Sequence, residues 1–112
     1  MTDKHIQARA YPSQVEAALQ SSVTRSGLRI VGTQYPVMDQ TGRILWYDVA
    51  AMAGDKLTLI DLEDWRHSEK TQAKVEYCNA HNIPLLLVPM DNVETMETKV
   101  QIWSIKLRRN GT

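Results

Sequence analysis

The chain has 112 residues, with 13 basic and 13 acidic side chains, so its formal net charge is zero. This length predicts one domain over residues 1–112, and the balanced charge argues against a protein that coats nucleic acid through charge alone. A single cysteine excludes an internal disulfide, and no apolar run is long enough to span a membrane, so a cytoplasmic protein without membrane contact is expected.

The first helix is predicted over residues 13–26. Ser13 and Glu16 stand in capping-box relation ahead of apolar residues at helical spacing, and Gly27 is a natural end. Residues 1–11 show no such periodicity, so we expect them to form a flexible lead.

Three strands are predicted next, over residues 28–37, 44–52 and 56–62. Gly54 and Asp55 have the composition of a hairpin turn between the second strand and the third. The third strand is apolar on both faces until it reaches Asp61, so we expect it to lie in the centre of the sheet.

The second half of the chain is predicted to form a helix, a strand and a helix, over residues 68–81, 83–89 and 91–109. The order α-β-β-β-α-β-α contains a strand–helix–strand unit, which predicts an α/β fold with a mixed sheet flanked by helices. The last helix carries an apolar stripe that includes Trp103. We interpret this stripe as core packing, in preference to a surface that binds another protein.

Asp48 and Asp61 are the acidic residues that the predicted hairpin would bring together. They lie equally far from the Gly54-Asp55 turn, which makes them cross-strand neighbours. Carboxylates in opposed positions repel each other, so a divalent cation between them is the simplest compensation. Because Mg²⁺ takes oxygen ligands, commonly one or two carboxylates with water and phosphate, the pair predicts a Mg²⁺ site, with Mn²⁺ as an alternative.

Two further side chains could complete this site. His67 follows the third strand and could act as a general base, or it could be an ordinary loop imidazole. Glu16 could point toward the same end of the sheet, or serve only in the capping box.

The segments "SQVEAAL", "WYDVA", "LIDLEDWRH" and "AHNIPLLLVP" follow one another in an order that resembles the PD-(D/E)xK nucleases, which have the restriction-endonuclease-like fold. The resemblance is strongest to the branch of the very-short-patch mismatch repair endonucleases and related phage homing endonucleases. It covers residues 13–90 and implies a restriction-endonuclease-like core and metal-dependent hydrolysis of phosphodiester bonds.

The resemblance also implies a role for each matching residue. Asp48 would be the metal-binding aspartate of the second strand, Asp61 the second acidic ligand, and the backbone carbonyl of Leu62 a third ligand. His67 would be the base or would orient the phosphate, and Glu16 would be an acidic side chain just outside the ligands.

The chain departs from the family pattern at the lysine of the D-x-K motif. Glu63 stands at that position, and we keep it among the candidate catalytic residues. His67 could take over the role of the lysine, and so could Lys70 or Lys74 of the next helix, although we prefer a solvated helix face for these two. Tyr47 stands where a proline precedes the first aspartate.

We therefore expect a Mg²⁺-dependent endonuclease that acts on DNA, with homodimer formation as one way to cut both strands. Its candidate phosphate contacts are basic residues of the last two helices: Lys70, Lys74, Lys106, Arg108 and Arg109. The last three would also suit the negative end of a helix dipole. Because of Glu63, an alternative stays open: a catalytically inactive module of this fold that binds nucleic acid or regulates a partner.

Overall fold

The computed structural model describes the backbone of residues 2–63, 68–90 and 93–110, and the side chains of residues 14–63, 69–90 and 94–109. These ranges contain three helices and four strands in the predicted order: α1 Thr2–Arg25, β1 Arg29–Met38, β2 Ile44–Ala53, β3 Lys56–Glu63, α2 Ser68–Ala80, β4 Leu85–Pro89 and α3 Val93–Asn110. The chain is therefore an α/β protein. None of the helices in these ranges combines the length and the apolar character that a membrane crossing requires.

The structure corrects the predicted start of the first helix. α1 begins at Thr2, so the segment expected to be a flexible lead is helical from that residue onward. This segment contains Lys, Gln, Arg and Ala, which favour a helix through intrinsic propensity even without an apolar stripe. Ser13 and Glu16 consequently lie inside the helix and do not form its N-terminal cap. The helix ends as predicted, before Gly27 with a φ of 86°.

The four strands form one sheet in the order β1-β2-β3-β4. β1, β2 and β3 pair antiparallel, and β4 pairs parallel to β3, so the sheet is mixed and β3 is an inner strand, as predicted. The β2–β3 hairpin closes where Ala53 pairs with Lys56. The tight turn between them requires a positive φ, which Gly54 supplies at 65°.

Helices cover both faces of the sheet. One apolar cluster joins the sheet to α1 and α3 through Leu19, Val49, Ile60 and Val100, among others. The other lies beneath α2 and includes Tyr47, Leu59 and Cys78. Because the inner strands are covered on both sides, side chains of opposite orientation are buried in β2 and β3 alike.

The regular alternation of β2 breaks at Asp48. Tyr47 belongs to the cluster beneath α2, whereas Val49 belongs to the cluster that faces α1 and α3. Residues two apart in an unbroken strand point to the same face, so the backbone must turn between these two. Opposite Asp48 on β1, Gln34 has a φ of 48°, in the left-handed region that non-glycine residues rarely adopt. Local irregularities of this kind re-aim side chains and concentrate near functional sites.

Trp103 of α3 is a core residue with a buried polar contact. Its side chain is half-buried against the cluster of α1 and α3, and its Nε1–H donates to Thr58 Oγ1 at 2.9 Å. The Thr58 hydroxyl donates in turn to the carbonyl of Pro84 at 2.8 Å. The apolar stripe of α3 therefore serves packing, as the sequence predicts.

Replacing Trp103 by Phe should lower the free energy of unfolding by about 1 kcal/mol, because it keeps an aromatic ring but removes the donor to Thr58. Urea denaturation measures this difference. Ile102→Ala is the matched control, since the neighbouring Ile102 is 49% exposed and should change stability less. An equal loss in the two variants would contradict the role of the hydrogen bond.

Candidate functional site

The candidate site lies where β2 and β3 separate. β3 pairs with β2 from Lys56 to Ile60, and with β4 from Leu59 to Glu63. Asp48 and Asp61 are the next residues of their strands beyond the last β2–β3 pair, Val49 with Ile60. The separation therefore places both carboxylates at the opening between the two strands.

Two hydrogen bonds from backbone to carboxylate cross this opening. The backbone N–H of Asp48 donates to Asp61 Oδ1 at 3.0 Å, and the backbone N–H of Leu62 donates to Asp48 Oδ2 at 2.8 Å. Each carboxylate thus accepts from the backbone of the other strand, in place of a further ladder bond. The structure brings together the pair that the hairpin spacing predicts.

Lys74 of α2 contacts the same pair. Its Nζ donates to Asp61 Oδ2 at 2.7 Å, and the two side chains are 17% and 5% exposed. The helix is fixed at this point, because the Tyr47 hydroxyl donates to the backbone carbonyl of Lys74 at 2.9 Å. Lys74 therefore does not lie on a solvated helix face, which was the preferred interpretation. Its ammonium contacts Asp61, the second acidic residue of the predicted pair.

Glu16 and Gln34 complete the cluster from the other side. Gln34 Nε2 donates to Asp48 Oδ1 at 3.2 Å, and the same side chain hydrogen-bonds Glu16. Burial, followed by the negative charge of Asp48, raises the pKa of Glu16, and the bond from Gln34 opposes this rise. Gln34 thus links two acids that would otherwise repel each other.

The prediction from sequence missed Gln34, although a signal for it exists. Gln34 and Asp48 lie equally far from Thr41, in the turn between β1 and β2. The reasoning that pairs Asp48 with Asp61 across one hairpin would therefore also have paired Gln34 with Asp48 across the other.

Asp61 carries the strongest electrostatic perturbation of the cluster. Its pKa is raised to about 7, first by burial and then by the hydrogen bond and negative charge of Asp48, while the ammonium of Lys74 opposes these effects. One cation therefore compensates the two carboxylates only in part. The site retains an excess of negative charge that a proton or a second cation can neutralise.

The oxygens of Asp48 and Asp61 fit a hard divalent cation. An ionised carboxylate offers about four acceptor positions, and each of these two uses only part of them in the contacts above. Among the described residues, no group of three or more His, Cys, Asp or Glu side chains is arranged to hold a metal. Two carboxylates suffice for Mg²⁺, which keeps several water molecules, but not for a closed zinc site.

The other residues predicted for the site lie in different surroundings. Glu63 is exposed at the end of β3, and the Leu62 side chain packs against the core while its N–H binds Asp48. Lys70 is exposed on α2. His67 lies outside the described residues.

The basic residues at the end of α3, namely Lys106, Arg108 and Arg109, are exposed and are not brought to the carboxylate pair. Arg108 donates to the carbonyl of Ser26 at 2.9 Å. Ser26 precedes β1, whose first residue Arg29 pairs with Met52 near the hairpin turn. These cations therefore lie toward the opposite end of the β2–β3 hairpin from Asp48.

Comparisons of the chain with protein-family models, with curated proteins and with solved structures found no match. The geometry of the site is therefore what supports a function.

The stability of the protein without divalent ions should fall as the pH rises from 4 to 8. The pKa of Asp61 is higher in the folded state than in the unfolded chain, so its contribution is fully present below the unfolded value and is lost as the pH passes about 7. We expect a loss on the order of 2 kcal/mol in EDTA, measured by urea denaturation across this range.

Asp61→Asn should remove most of this dependence, because an amide does not titrate. Asp55→Asn, in the exposed hairpin turn, is the matched control and should keep the wild-type slope. The same slope in Asp61→Asn and wild type would show that another group is responsible.

Lys74→Met should lower the free energy of unfolding at pH 8 by about 2–4 kcal/mol, because it leaves the buried Asp61 carboxylate without its cation. Lys70→Met, one turn earlier at an exposed position of α2, should stay within about 0.5 kcal/mol of wild type. Chemical denaturation of both variants measures the difference, and equal effects would refute the special position of Lys74.

Proposed function

We propose that this chain is a metal-dependent nuclease that hydrolyses phosphodiester bonds, with DNA as its substrate. One observation carries the proposal: two carboxylates from adjacent strands, Asp48 and Asp61, meet where the strands separate, and the ammonium of Lys74 stands 2.7 Å from one of them. A pair of acids with an adjoining cation is the set of groups that metal-assisted phosphate chemistry requires.

The arrangement of the elements also supports a restriction-endonuclease-like core as part of the proposal. The chain has the element order α-β-β-β-α-β-α, an acidic residue on α1 next to the site, and an acid on each strand of the central hairpin. The family pattern has a lysine at the position of Glu63. In this chain α2 brings Lys74 to Asp61, so a lysine is still present next to the acidic pair.

Each residue of the cluster would have a distinct task. Asp48 and Asp61 would hold the cation through their oxygens. A bound Mg²⁺ or Mn²⁺ would polarise the scissile phosphate and lower the pKa of a water molecule. Lys74 uses one of its three N–H groups on Asp61, so another can donate to a phosphate oxygen as negative charge develops there. Gln34 would hold Asp48 in its orientation.

A second candidate function follows from the same ion pair. Lys74 already offsets part of the charge of Asp61, so the cluster could serve as a structural network in a catalytically inactive module that binds nucleic acid. In that case divalent ions would neither bind at the site nor change its stability. The two functions therefore differ in a direct measurement of metal binding.

The experiment is a cleavage panel with supercoiled, single-stranded, mismatched and branched DNA in Mg²⁺ or Mn²⁺. We expect cleavage by the wild type, and a loss of about 100-fold or more in Asp48→Asn and in Asp61→Asn. Asp55→Asn, in the exposed hairpin turn, should cleave like the wild type.

Titration calorimetry separates the two candidates. The nuclease should bind Mg²⁺ or Mn²⁺ and lose that binding in Asp48→Asn, whereas the inactive module should bind neither ion. Wild-type cleavage rates in Asp61→Asn, or absence of cleavage together with absence of metal binding, would refute the nuclease.

A further inference from the structure

A cavity opens beside the carboxylate pair, along the edge of β2 that β3 no longer covers. Its volume is about 230 Å³, and the described residues that line it are Arg43, Ile44, Leu45, Trp46, Lys70 and Lys74. Consecutive residues of a strand point to opposite faces, so a cavity that touches three in a row lies at the strand edge. β3 pairs with β2 only as far as Val49, and no other strand of the described residues pairs with the remainder of this edge.

The residues that line the cavity include a tryptophan and three basic residues. Trp46 is 51% exposed and Ile44 is 50% exposed, which is unusual for large apolar side chains that neighbour each other. Three of the described lining residues are basic and none of them is acidic; Arg43 lies 3.5 Å from Asp39 and Lys74 lies 2.7 Å from Asp61, so neighbouring carboxylates offset part of this charge. An exposed indole can stack on a flat ring, and the cations can contact phosphates.

The cavity is continuous with the carboxylate pair through Lys74. The Lys74 side chain lines the cavity, and its Nζ is the group that contacts Asp61. On β2, Trp46 precedes Asp48 by two residues, a span of roughly 7 Å along a strand. This separation is on the scale of a single nucleotide, so one bound nucleotide could occupy the cavity while its phosphate lies at the carboxylates.

We propose that this cavity binds an unpaired base of the substrate strand, stacked on the indole of Trp46, with the adjoining phosphates on Arg43 and Lys70. The proposal rests on the nuclease function, because it assigns a substrate class to the same site: DNA that is single-stranded at the position of cleavage. Stacking between neighbouring base pairs covers the faces of the bases within a duplex, so an intact duplex offers no ring to stack on Trp46.

The charge distribution of the chain agrees with a short single-stranded contact. A long duplex is held by many phosphate contacts, and the 13 basic residues of the chain are balanced by 13 acidic ones, so its overall charge does not favour a long anionic partner. The cations at the cavity are local and adjoin an aromatic ring, which is how proteins bind single strands without reading their sequence.

The test compares the binding of three fluorescein-labelled nucleic acids: a twelve-nucleotide deoxythymidine strand, the same strand in a duplex, and a uridine strand. Binding is measured in EDTA, so that no cleavage occurs. Fluorescence anisotropy gives the affinity of wild type, Trp46→Ala, Trp46→Phe and Met38→Ala. Met38 is the matched control, because it is 64% exposed on the neighbouring strand and does not line the cavity.

We expect the wild type to bind the single DNA strand more tightly than the duplex. Trp46→Ala should weaken single-strand binding about tenfold and leave duplex binding nearly unchanged, because it removes one stacked base. Trp46→Phe, which keeps an aromatic face, should stay within about threefold of wild type, and Met38→Ala should match it. Lys70→Ala should weaken single-strand binding. It should also make the affinity less dependent on salt concentration, by the amount expected for the loss of about one phosphate contact.

Unchanged single-strand affinity in a folded Trp46→Ala variant would overturn the proposal, as would an equal loss on the duplex or absence of binding to every strand. Tighter binding of the uridine strand would overturn the assignment to DNA. Single-strand binding that depends on Trp46, without cleavage in Mg²⁺ or Mn²⁺, would support the base cavity and refute the nuclease. Cleavage that is unchanged in Trp46→Ala and equal on single-stranded and duplex DNA would support the nuclease and refute the base cavity.

Discussion

The rest of the site depends on two hydrogen bonds, from the backbone of Asp48 to the Asp61 carboxylate and from the backbone of Leu62 to the Asp48 carboxylate. Where two strands separate, their backbone N–H groups lose ladder partners, and a buried N–H without a partner is costly. Here the carboxylate of each strand accepts from the backbone of the other. The two residues therefore end the hairpin, and their carboxylates are fixed on strands and not on a loop.

This arrangement makes the electrostatics of the site dependent on how the helices pack. Two adjacent carboxylates in a partly buried place repel each other, and Lys74 offsets only part of their charge. The position of Lys74 is set by α2, which the Tyr47 hydroxyl ties to the sheet. Glu16 adds further negative charge from α1. The cores on the two faces of the sheet thus determine how strongly the site attracts a cation.

The sequence predicts the parts of this site that depend on local periodicity. Turn composition gives the β2–β3 hairpin, and equal spacing from the turn gives the Asp48–Asp61 pair. The contact of Lys74 with Asp61 depends on how α2 is rotated against the sheet, and local spacing does not encode this rotation. The start of α1 was mispredicted because residues 2–11 are helical by propensity and lack the apolar stripe on which the prediction relied.

The separation of β2 from β3 has a second consequence besides the carboxylate site. Among the described residues it leaves part of the β2 edge without a strand partner beside exposed apolar side chains, a combination that ordinarily invites pairing with another chain. Arg43 and Lys70 flank this edge, and such charges disfavour the approach of a second copy, which would bring identical cations against them. The same cations favour an anionic occupant, and Trp46 favours one with a flat ring. A single nucleic-acid strand has both properties, so the features that would disfavour self-association at this edge are also those that would select its ligand.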